Sequence, residues 1–107
     1  MFVARPMPST AVPGLPVILR CSQQPIAPVT WSFQHLPDSE AQIIVTGGSI
    51  VSDYAEKYGT YGSSLIIYKV QSSDGGSYNC SDANGDIIMY SFAVDGEEIA
   101  VILMNEK

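Results

Sequence analysis

A chain of 107 residues has room for one small domain with a modest core and none for two complete ones. Hydrophobic residues at 46% against 15% charged exclude a disordered chain. Eleven acidic and five basic residues, a net charge of −6, repel phosphate backbones and heparin-like polymers, so no nucleic acid partner is expected. The acidity serves solubility or meets a basic surface on a partner. No stretch reaches the ~20 apolar residues of a membrane span, and Met1 to Pro6 lacks the apolar core of a signal peptide.

In chain order, residues 1–13 carry three prolines, which suit an edge strand broken by a kink. Short apolar stretches follow between turn residues: Val17-Ile18-Leu19, Val29-Thr30-Trp31, Ile43-Ile44-Val45, Leu65 to Tyr68 and Ile87 to Phe92. That rhythm predicts a sandwich or barrel. No segment keeps helical apolar spacing, and seven prolines and nine glycines interrupt the chain, so almost no helix is expected. Asn84-Gly85 predicts a tight hairpin turn with positive φ at both central residues. Asp95 to Glu98 reads as a turn, which makes residues 1–96 the domain. Residues 97–107, with the apolar run Ile99 to Met104, are either a linker to a following domain or an extension forming the last strand.

Val17, Leu19 and Cys21 alternate with their neighbours, as do Leu65 with Ile67 and Tyr78 with Cys80, so each set points to one face of its strand. The chain reads Gly14-x-x-Val17-x-Leu19-x-Cys21, then Trp31, then Leu65-x-Ile67-x-x-Val70-x-x-x-Asp74-x-Gly76-x-Tyr78-x-Cys80. Over about residues 8–94 this pattern resembles the immunoglobulin superfamily.

The resemblance implies an all-β fold, an immunoglobulin-like β-sandwich of two antiparallel sheets with one inter-sheet disulfide, Cys21 to Cys80, and Trp31 packed against it. Tyr78 resembles the tyrosine corner, whose hydroxyl returns to nearby backbone. Lys57-Tyr58 resembles the basic-aromatic opening of strand D, which implies an ion pair between Lys57 and Asp74. Trp31 to Gln34, a polar turn and Ile43 to Val45 resemble a V-set C to C′ hairpin, and Gly47 to Val51 its continuation into C″. The short link Ser22 to Pro28, with two prolines, is closer to I-set domains, and the type stays open between V and I.

Sites for chemistry are sparse. His35, the only histidine, sits in a polar turn with Pro37, Asp38, Ser39 and Glu40, without a Gly-x-Ser-x-Gly elbow, and reads as an exposed loop residue. Two cysteines and one histidine cannot supply a structural zinc site. Asp82-x-Asn84-Gly85-Asp86 resembles a calcium loop only faintly, lacking the later ligands, and reads as a turn. No catalytic set, no metal, no cofactor and no small-molecule substrate is therefore expected. One glycosylation sequon occurs, Asn79-Cys80-Ser81, in which Asn79 points away from the core because Cys80 points in.

With Trp31, Tyr78 and Cys80 inward, Ser32, Gln34, Asn79 and Ser81 border the outer face of the sheet holding strands C, F and G. Taking Phe92 and Val94 as inward puts Ile87 and Met89 outward, beside Ile43-Ile44-Val45. Ser32, Gln34, Ile44, Ile87 and Met89 are thus the candidate partner-binding face; a glycan on Asn79 would block it. V-type members of the family dimerise or meet partners there. The expected function is extracellular protein recognition, homophilic or heterophilic, in a cell-surface receptor or adhesion ectodomain whose targeting and anchoring segments lie outside this chain. A structural spacer from an intracellular muscle-type protein and a secreted immune-type binder are the alternatives.

Overall fold

The alternating apolar residues place one face of each strand in a common core. In the computed structural model, which describes residues 9–21, 28–35, 39–95 and 98–105, the described residues form ten strands and no α-helix. They are β1 (Ser9–Ala11), β2 (Val17–Leu19), β3 (Thr30–Gln34), β4 (Gln42–Thr46), β5 (Ser49–Ile50), β6 (Tyr58–Tyr61), β7 (Ser64–Ile67), β8 (Gly76–Ser81), β9 (Ile87–Asp95) and β10 (Glu98–Asn105). One sheet runs β1-β10-β9-β8-β3-β4-β5 and the other β2-β7-β6, with antiparallel pairing throughout. Cys21, just past β2, is bonded to Cys80 on β8. The fold is an immunoglobulin-like β-sandwich with its disulfide between the sheets.

Leu19, Leu65 and Ile67 from the smaller sheet and Trp31, Val45, Tyr78 and Cys80 from the larger are fully or almost fully buried. Burying a side chain of this size contributes about 1.5–3 kcal/mol. Polar ties also cross between the sheets: Trp31 Nε1 donates to Ser63 O at 2.9 Å, and Tyr90 Oη donates to Arg20 O at 2.7 Å. The Tyr58 and Tyr78 hydroxyls meet at 3.0 Å. The resemblance had implied a backbone partner for Tyr78; its partner is a hydroxyl because Tyr58, opening β6, points inward directly across the core.

The tail is a strand. β10 pairs with β9 from Glu98↔Asp95 to Leu103↔Tyr90 and with β1 on its other side. Ile99 and Val101 are buried, so over residues 98–105 the tail takes the last-strand form of the two alternatives it left open. β1 is the edge strand expected of the N-terminal stretch, while residues 1–8 lie outside the described residues.

The β8–β9 turn also differs from expectation. Gly85 has φ +87°, but no non-glycine described residue has positive φ, so Asn84 does not. Gly85 N donates to Asp82 O and Asp82 N to Asp86 O, while Asp82 Oδ1 accepts from Asn84 N and Asp86 N. The Asp82 side chain organises a longer turn with a single left-handed glycine, in place of the two-residue turn.

Candidate binding face

Strands β3, β4, β8, β9 and β10 lie side by side, and their register sets which side chains share the outer face. One cross-strand row is Thr30, Ser81 and Ile87. The next is Ile43, Ser32, Asn79 and Met89. A third is Gln34, Ser77, Ser91 and Ile102, with Ala93 and Ala100 beyond it. None of these residues is charged, on a chain of net charge −6. An ordinary surface carries charge at about 25–35% of its positions. Ile43 and Ile87 are 52% and 44% exposed, and Met89, two residues along β9 from Ile87, is half-buried. Two exposed isoleucines and a half-buried methionine thus stand among small hydroxyl and amide side chains.

Ser32, Gln34, Ile87 and Met89 sit on this face. Ile44 does not: it is 1% exposed and faces the core. Trp31 pairs with Val45 and Ser32 with Ile43, so Ile44 is the extra residue of a β-bulge that turns both Ile44 and Val45 inward. The outward isoleucine of β4 is Ile43, which the two-residue period does not single out. Gln34 Nε2 donates to Ser39 O at 2.6 Å, which holds that end of the face to the following turn. Asn79 lies at the middle of β8, and its Oδ1 is buried without a hydrogen-bond partner.

The remaining predicted residues lie elsewhere. Lys57 Nζ stands 2.9 Å from Asp74 Oδ1 and 3.0 Å from Oδ2, and Asp74 Oδ2 also accepts from Gln71 N at 2.8 Å. The Asp74 side chain is 5% exposed and that of Lys57 35%, so the pair is covered on one side only. Burial raises the Tyr78 hydroxyl far above its usual range, with Tyr58 and the charge of Asp74 adding to the shift. Burial also raises Tyr58, against the opposing hydrogen bond from Tyr78. His35 is exposed and donates from Nδ1 to Gly75 O at 2.7 Å; Pro37 and Asp38, its neighbours in the sequence, lie outside the described residues. The Asp82 carboxylate serves the turn described above.

Among the described residues no group of three His, Cys, Asp or Glu side chains is placed to hold a metal ion. An open groove of about 570 Å³ runs between β2 and the β1–β10 edge, lined mainly by apolar side chains such as Val12, Leu15, Val17 and Leu103. No helix among the described residues is long and apolar enough to cross a membrane. The intramolecular disulfide fits an oxidising compartment. No protein-family model matches the chain, and no curated protein sequence matches it significantly.

Proposed function

We propose that this chain is an extracellular recognition domain of the immunoglobulin superfamily that pairs with a second copy of itself through the outer face of β4-β3-β8-β9. The observation that carries the reading is the uncharged stretch of this face, from Thr30 and Ile87 to Ala93 and short of the Asp95-Glu98 pair, on a strongly acidic chain. A basic partner would find no carboxylate in these rows. Two copies, which repel elsewhere, meet here without bringing like charges together, and apolar Ile43, Ile87 and Met89 gain cover. The V-type features, the C′ and C″ strands represented by β4 and β5, support the family reading.

Four strands at ~4.8 Å spacing and five residues of ~3.3 Å give a patch of about 19 by 17 Å. Such a patch buries about 650 Å² across two copies, below the ~1,200 Å² at which specific stable interfaces begin, so the dimer is weak and transient. Sedimentation equilibrium from about 1 μM to about 1 mM covers binding free energies of about −8 to −4 kcal/mol. The average mass should rise with concentration. Met89→Asp, which sets two unpaired carboxylates against each other, should remove the rise while leaving the fold intact by circular dichroism. A chain monomeric throughout this range contradicts the reading and favours a spacer or a different partner.

A further inference from the structure

From the position of its single sequon we infer that Asn79 is an N-glycosylation site and that the glycan and the second copy exclude each other, so that occupancy decides which copies can pair. The exclusion rests on the pairing reading above; the modification does not.

Asn79 is the first residue of the sequon Asn79-Cys80-Ser81 and its acceptor, and Cys80 beside it is buried in the disulfide. The alternation of β8 therefore turns Asn79 to the outer face. There it stands between Ser32 on β3 and Met89 on β9, in the central row of the face. Its neighbours along β8 on the same face are the small Ser77 and Ser81. Its Oδ1 is buried without a hydrogen-bond partner, and the sugar attaches at Nδ2, which leaves that oxygen in place.

The donor is a lipid-linked pyrophosphoryl oligosaccharide of the secretory pathway. The bond from Asn79 Nδ2 to the first sugar's C1 forms, the bond from C1 to the pyrophosphate oxygen breaks with its electron pair leaving on the pyrophosphate, and one Nδ2 proton is lost. No oxidant or reductant is involved. Facing sheets pack about 10 Å apart, and an oligosaccharide rooted in the central row leaves no room for that approach.

The test expresses the same full chain in the bacterial periplasm, where the disulfide forms without an N-glycan, and as a secreted product of animal cells. Intact mass reads occupancy, and sedimentation of each form reads pairing. The secreted chain is expected to carry added oligosaccharide mass that Ser81→Ala abolishes, and its glycosylated fraction to remain monomeric at concentrations at which the periplasmic chain dimerises, a loss of at least tenfold in affinity. Secreted protein without added mass overturns the modification. Glycosylated protein that pairs as tightly as the periplasmic chain overturns the exclusion. If the periplasmic chain itself never pairs, the pairing reading and the exclusion fall together, while the mass still decides the modification.

Discussion

Replacing Tyr58 or Tyr78 by phenylalanine isolates the hydroxyl pair at 3.0 Å that ties β6 to β8. Tyr78 is fully buried and Tyr58 nearly so. Either single change leaves the other hydroxyl in the core without its partner, at a cost of about 1–3 kcal/mol, whereas the double change removes both groups and is close to neutral. The expected coupling is therefore about 1–3 kcal/mol, with the double variant at least as stable as either single one. Both hydroxyls are raised above the usual 10.0 in the folded chain. The stability they contribute is thus full below pH 10, where the unfolded chain also holds both protons. Above pH 10 the unfolded chain loses them while the folded chain keeps them, so stability falls by about 1.4 kcal/mol per pH unit for each tyrosine. Urea unfolding followed by Trp31 fluorescence at pH 7 and from pH 9 to about pH 11.5 measures both effects. Additive single variants at neutral pH, or the same alkaline slope in wild type and the double variant, would refute the buried pair.

Reducing the Cys21–Cys80 bond, which closes a loop with a separation of 59 residues, should lower stability by about 4 kcal/mol, read as a shift of the urea midpoint with and without reductant. Lys57→Met leaves the nearly covered Asp74 carboxylate with Gln71 N as its remaining support and should cost about 1–3 kcal/mol; partial exposure of Lys57 keeps the loss below that of a fully buried pair, and thermal unfolding checks it. Gly76 has φ +143°, and a Cβ there would come within 2.5 Å of Gln34 O and 2.9 Å of His35 Cα, so Gly76→Ala should cost about 2–4 kcal/mol. Gly48→Ala, at φ +82° with nothing within 4 Å of the added carbon, should cost only about 1–2 kcal/mol in the same assay.

The core was legible where side chains alternate without interruption. Val17, Leu19 and Cys21, or Tyr78 and Cys80, need only the period of a strand to be placed. Ile44 was misplaced because a bulge adds one residue to β4, and three consecutive apolar residues carry no mark of where the period breaks. The turn after β8 was misread because Asn84-Gly85 is a strong local signal, while the organising group, the carboxylate of Asp82, lies two residues earlier. The tail stayed ambiguous because Ile99 to Met104 reads alike as linker or strand, and its burial depends on β1, distant in sequence. The pairing of Tyr58 with Tyr78 depends on the stacking of two sheets, which no local pattern encodes. The neutrality of the outer face emerges only when residues 30–34, 43, 77–81 and 87–93 are set in register.

The most direct test of pairing through that face is a dilution series of backbone amide NMR spectra on unglycosylated, oxidised chain. The account predicts concentration-dependent shifts confined to β3, β4, β8 and β9, strongest near Ser32, Ile43, Asn79 and Met89, with β2, β7 and β6 unchanged. Shifts centred on β2 and the groove beside it, or none across the series, would contradict it.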